Sequence, residues 1–95
     1  MYVQLMLNFQ WDTNKAKINF EKHGIKFADA VSVFQDDFAI TIDDDRKDEK
    51  RFVTLGMDAF GKHVVVVYTW RGNEIRIISA RKANRKERKQ YEEGR

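Results

Sequence analysis

Residues 62–70, KHVVVVYTW, constrain this chain more than any other stretch. Four consecutive valines and a tyrosine are β-branched or aromatic, the side chains that fit a pleated sheet best. Because they are apolar at both odd and even positions, the strand they form is buried on both faces and belongs in the middle of a sheet. Turn chemistry brackets it, with Asp58-Ala59-Phe60-Gly61 before and Arg71-Gly72-Asn73 after. Such short connections join antiparallel neighbours, so residues 51–57 and 74–81 are predicted to flank the central strand. Further upstream, Phe38, Ile40 and Ile42 alternate with Ala39 and Thr41, which predicts a half-buried strand over 38–42. Residues 43–50 then read as a polar loop.

The period is different before residue 38. Asp12 has the chemistry of an N-cap for a helix running to about Lys22, and Gly24 suits the left-handed residue just past its end. Phe27, Ala30, Val31 and Phe34 follow the i, i+3, i+4, i+7 spacing of a short amphipathic helix. Residues 1–6 read as a lead-in or as the start of an edge strand reaching Phe9. Near the other end, Asn84 followed three residues later by Glu87 predicts a capping box and a closing helix over 84–93. The expected order is β-α-α-β-β-β-β-α, an α+β fold in which an antiparallel sheet packs against helices on one side. The closing helix stands out: Arg85, Lys86, Arg88, Lys89, Tyr91 and Glu92 leave it almost no apolar face, so it is expected to dock weakly.

With 95 residues there is room for one core, hence one domain over 1–95. The absence of cysteine removes disulfide frameworks and thiolate metal sites. The longest apolar run is too short to cross a membrane, and MYVQLMLNFQWD lacks the pattern of a signal peptide, so a cytoplasmic protein is expected. The net charge of +3 conceals an asymmetry. Residues 36–50 carry seven acidic and three basic side chains, whereas residues 71–95 carry nine basic and four acidic ones. A basic end of this kind fits a polyanionic partner, nucleic acid first, and equally fits a solvated charged tail.

Two groups of residues carry possible chemistry. Lys15, Asn19, Lys22 and His23 fall on one stripe of the first helix, bordered by Ala16 and Phe20 on the core side. The cationic pair at its end either complements the helix dipole or edges a cleft. On the last strand, Arg76, Ile78 and Ala80 alternate with Ile75, Ile77, Ser79 and Arg81, while Arg71 and Glu74 sit at its start. Arginines on a strand that should be core are suited to phosphate contacts or to cross-strand salt bridges. No metal is expected. The run Asp43-Asp44-Asp45-Arg46-Lys47-Asp48 lacks the glycine of a calcium loop and places lysine at a ligand position, and His23 and His63 have no spacing that specifies zinc. Trp11 and Trp70 read as core aromatics or, if exposed, as base-stacking groups.

Phe9-Gln10-Trp11-Asp12, Lys15, Asn19, Lys22-His23-Gly24, Phe27 and Ala30 together resemble the N-terminal signature of the BrnT-type toxins. The stretch RIISARKANRKERKQYE, residues 76–92, resembles the same family's C-terminal signature, and Arg51-Phe52 and Leu55-Gly56 fit between them. The resemblance spans residues 9–92. It implies a RelE-like fold and a ribonuclease that slows translation, the toxin half of a type II toxin–antitoxin pair. It also implies neutralisation by a cognate antitoxin of ribbon-helix-helix type, and contact with operator DNA only through that complex.

Cleavage of RNA without a metal or other cofactor needs a base for the 2′-hydroxyl proton, donors for the charge growing on the phosphate and an acid for the departing 5′-oxygen. Glu74 and His23 are the candidate proton handlers. Arg71, Arg76 and Arg81, with Lys22, are candidate phosphate clamps. Trp11, Lys15, Arg85 and Arg88 are candidate RNA-binding residues. The resemblance carries Trp11, Lys22, His23, Arg76 and Arg81; Arg71 and Glu74 come from the chemistry. The alternative is a non-catalytic nucleic-acid or partner-binding module built on the basic closing helix.

Overall fold

The computed structural model describes residues 8–46 and 49–94, and its elements follow the expected order. β1 (Asn8–Gln10) leads into α1 (Thr13–His23), the one-turn α2 (Phe27–Ala30) and a 3₁₀ turn (Val31–Gln35). Then come β2 (Ile40–Arg46), β3 (Glu49–Met57), β4 (His63–Arg71), β5 (Glu74–Lys82) and α3 (Arg85–Glu93). The lead-in expected over residues 1–6 lies outside the described residues. The sheet order is β1-β5-β4-β3-β2. β2 to β5 form an antiparallel meander, and β1 adds to the outer edge of β5 in parallel. β4 lies between β3 and β5, with Val64, Val65 and Val66 all buried, as its two-sided apolar pattern requires.

The α1 caps form as the side chains dictate. The Asp12 carboxylate accepts from the backbone N–H groups of Asn14 and Lys15, and Gly24 closes the helix at φ 72°. The buried face of α1 differs from the expected one. Phe20 is exposed and Asn19 is buried. The Asn19 amide donates to the carbonyls of Ala80 (2.8 Å) and Ile25 (3.1 Å), and its oxygen accepts from the Ala80 N–H (3.1 Å). It stands in for a neighbouring strand on the β5 edge, beyond the point where β1 stops pairing, and so satisfies backbone groups that burial would otherwise leave unpaired.

Three further expectations are corrected. The acidic run is largely strand, because β2 continues through Asp43–Asp44 and β3 begins at Glu49; Asp43 faces the β3 ribbon closely enough to pair with Lys50 at 3.3 Å. Opposite charges across a two-stranded ribbon stabilise pairing that an all-acidic strand would resist. The helices also occupy both faces of the sheet. α1, α2 and the 3₁₀ turn cover a core of Ile25, Phe27, Val33, Val64, Val66, Tyr68, Ile75 and Ile77, while α3 packs on the other side against Leu55, Val65 and Ala83. Finally, α3 is seated on the sheet with Tyr91, 2% exposed, as its buried anchor; the Tyr91 hydroxyl donates to Asp36 Oδ2 at 2.6 Å. Its ring is the apolar anchor of a nine-residue helix that is otherwise polar, and bonds made by Glu87 and Arg88 add to it. The closing capping box between Asn84 and Glu87 forms as expected.

Gly56 makes room for the loop that holds Asp36. A Cβ there would meet Val33 Cγ1 at 2.8 Å and Ala39 Cβ at 3.1 Å.

Candidate active site

A β-bulge organises the chemistry of β5. Val67 pairs with Ser79 but Tyr68 pairs with Ile77, leaving Ile78 as the extra residue. Simple alternation would put Arg76 and Arg81 on opposite faces. The bulge shifts the phase by one, so Ile75, Ile77 and Ala80 all face the α1 core, while Glu74, Arg76, Ser79 and Arg81 share the face that carries α3. Cross-strand partners place Thr69 and Arg71 of β4 on that same face, with Arg51 of β3 next to them and Gln10 of β1 beside Arg76. α3 covers only the Leu55–Val65 end of this face. The remainder is a polar floor of arginines, a glutamate and a glutamine.

Gln10 joins the two central groups. Its side-chain carbonyl accepts from Arg76 Nη1 at 3.2 Å, and its amide donates to Glu74 Oε2 at 3.1 Å. The carboxylate and the guanidinium are thus held close while bonded to the amide rather than to each other. Asp12, at the same edge, is held below the usual carboxylate range first by the Lys15 backbone N–H, then by that of Asn14 and by the charges of Lys15 and Arg76. Arg71, at the end of β4, is about half exposed and meets Glu49 across 3.6 Å.

Arg81 is placed differently. Its guanidinium bonds the Glu87 carboxylate through both arms, at 2.8 and 2.9 Å, and Nη1 also donates to the Lys82 carbonyl at 3.3 Å. Glu87 raises the Arg81 pKa, and Arg81 lowers that of Glu87. Arg81 therefore closes the α3 end of the face with its fork already filled.

Lys22 and His23 form a second group. With Lys15, Ile18, Asn19, Ile78 and Ser79 they line an open cavity of about 220 Å³ between α1 and the bulged edge of β5. Trp11 is part of the core, edge-on to Phe27 with ring centroids 6.1 Å apart, whereas Trp70 is 42% exposed. Arg85 is exposed on α3, and Arg88 donates to the Ala83 carbonyl at 2.9 Å. His63 lies against the Tyr91 ring and 3.3 Å from Glu92, on the α3 side of the sheet. Among the described residues no group of three or more His, Cys, Asp or Glu is gathered as a metal site, and no helix is long and apolar enough to cross a membrane.

Gln10 and Arg51 received no role from the sequence, although both stand in recognisable motifs. Alternation with Phe9 places Gln10 on the polar side of its strand, but its partners became visible only once β1 had paired with β5. For Arg51, the signal was a basic residue directly before the Phe52-Val53 step of a strand flanking the central one.

The fold resembles that of the crystal structure of the Brucella abortus ribonuclease toxin BrnT, with a TM-score of 0.64 and 24% sequence identity, over 84% of this chain and 100% of that one. No curated protein matches the chain. The family model described as the ribonuclease toxin BrnT of type II toxin–antitoxin systems matches residues 11–87, from Trp11 to Glu87. That span contains both groups of cations and covers most of the chain, which therefore belongs to the BrnT family of ribonuclease toxins.

Proposed function

We propose that this ribonuclease toxin cuts RNA without a metal, on the open sheet face, using Glu74, Arg76 and Arg71. The observation that carries the reading is the Gln10 bridge, which holds a carboxylate and a guanidinium side by side on a solvent-facing floor. Glu74 takes the proton of a 2′-hydroxyl; the 2′-oxygen attacks the adjacent phosphorus, and the bond from phosphorus to the 5′-oxygen breaks. Arg76 and Arg71 stabilise the charge that grows on the phosphoryl oxygens, the part of the reaction in which preorganised donors contribute most. The departing 5′-oxygen is protonated by water at the open face, and the products are a 2′,3′-cyclic phosphate and a 5′-hydroxyl. Arg81 joins the phosphate only by opening its pair with Glu87. Arg85 and Arg88 lie beyond that pair, where they can follow the RNA backbone.

Membership of a type II system brings an antitoxin partner and an RNA substrate. The partner is proposed to be a ribbon-helix-helix protein that neutralises the toxin and carries it to operator DNA. The test is inducible expression in a bacterium together with cleavage of RNA by purified protein in EDTA. Growth arrest, fragmented RNA ending in cyclic phosphate, and relief by Glu74→Gln or Arg76→Ala support the reading. Intact RNA from folded wild-type protein, with salt-sensitive RNA binding retained, turns it toward the non-catalytic module.

A further inference from the structure

We infer that the cavity between α1 and the bulge of β5 is a separate subsite for a backbone phosphate of the RNA, next to the scissile one, and that Lys22 and His23 bind there rather than transfer protons. The inference rests on the proposed cleavage face, whose neighbouring subsite it identifies.

Three observations carry it. First, the cavity has cations at its rim and spent polar groups at its wall. Lys22 makes no ion pair among the described residues, whereas both amide hydrogens of Asn19 are committed to the carbonyls of Ala80 and Ile25. A ligand entering it meets Lys15, Lys22 and His23 as donors and meets no carboxylate in the lining. Such a site suits a single anionic group of phosphate size.

Second, the cavity adjoins the cleavage face. Ser79 belongs to both: it lines the cavity and shares the sheet face of Arg76 and Arg81. From Arg76 to Ser79 the strand advances by roughly 10 Å at most, within reach of a neighbouring phosphate on an extended strand.

Third, His23 sits too far along the β5 edge to serve the Glu74 reaction. Its cavity opens where β5 is free of β1, past Arg76, while Glu74 pairs with Asn8 at the opposite end of the β1 contact. A strand crossing the face at Glu74 and Arg76 therefore presents its reacting atoms to those residues and a flanking phosphate to His23 and Lys22.

The test uses 2′-O-methyl RNA oligonucleotides, which cannot be cut, lengthened one nucleotide at a time on either side of a fixed core. Wild-type affinity is expected to step up when an added phosphate reaches the cavity. Lys22→Ala, Lys22→Gln and His23→Ala should each lose that step, and the two Lys22 variants should also lower the slope of log K against log salt by about 0.7. With cleavable RNA the same variants should raise KM by about tenfold, a loss expected in KM and not in kcat. Lys22 is exposed and His23 half-buried at a helix end, so thermal midpoints near that of wild type should accompany these changes. Loss of kcat at saturating RNA with the length step intact would overturn the inference by placing His23 or Lys22 in the chemistry. So would affinities and salt slopes that do not change at any length, which would leave the pair as a helix end. If wild type binds with the step but cuts nothing, the subsite stands and the cleavage reading falls.

Discussion

The two arms of Arg81 hold both oxygens of Glu87, tying the end of β5 to the first turn of α3. The same carboxylate also accepts from the Asn84 backbone N–H, so one side chain completes a cap and an ion pair together. The arrangement has a pH dependence with a definite sign. Glu87 is held below its ordinary value of 4.5, first by the hydrogen bond from Arg81 and then by the Asn84 N–H, so the stability it contributes is fully present above that value. It is lost as the pH falls through the lowered, folded value. Arg81 is raised, first by its hydrogen bond to Glu87, and its contribution stays intact across the working range. Because the pair is partly exposed, the stabilisation is about 1 kcal/mol after solvent screening. Urea melts at pH 7 should show Glu87→Gln less stable than wild type by that amount, and the gap should close as the pH falls through the lowered Glu87 value.

Removing Tyr91 should release α3. Tyr91→Ala is expected to cost about 3–5 kcal/mol, the usual cost of deleting a buried aromatic. Tyr91→Phe keeps the packing but loses the bond to Asp36, at about 1–2 kcal/mol. Far-UV circular dichroism and denaturant melts separate the two: the alanine variant should lose helix before global unfolding, and the phenylalanine variant should only shift the midpoint.

Asn19 should behave as a structural residue despite lying beside Lys22 and His23. Asn19→Leu strands the N–H and C=O of Ala80 and the carbonyl of Ile25, and should cost roughly 2–4 kcal/mol. Hydrogen exchange should then speed up at the amide of Ala80, which has lost its acceptor. Protection at Ala80 equal to wild type would contradict this role.

At the cleavage face, Glu74→Gln is expected to lower kcat by about 10²–10⁴, the range for loss of a general base. Gln10→Ala should lower it less, because it removes the bridge and leaves both Glu74 and Arg76 in place. Gln10→Glu sets a carboxylate against Glu74 and should fall below Gln10→Ala. Single-turnover cleavage of a short RNA ranks the three; Gln10→Glu matching wild type would remove Gln10 from the site.

Gly56→Ala brings a Cβ to 2.8 Å from Val33 Cγ1, within a packed interior that cannot give way freely. The expected cost is about 1–3 kcal/mol, read as a lower thermal midpoint.

Much of this architecture was already determined by local chemistry. The valine run demands a central strand, the Asp12 and Gly24 pair bounds α1, the two glycine turns set the meander, and the Asn84–Glu87 box starts α3. These are contacts between residues near in sequence, or burial patterns repeated along one element, and they leave a trace in the chain itself. The motifs at residues 9–30 and 76–92 likewise pointed to the family before any fold was drawn. Other features depended on groups distant in sequence. A helix read as lacking an apolar face buries Tyr91, because the partners of that ring, Leu55 and Val65, come from two other strands. Asn19 is buried because β1 ends early and leaves the β5 edge in need of an acceptor and donors. Above all, the bulge at Ile78 brings Arg76 and Arg81 onto one face, where unbroken alternation would have separated them. A one-residue change of phase arises from how β5 pairs with β4, and that pairing is a property of the assembled sheet, not of either strand alone.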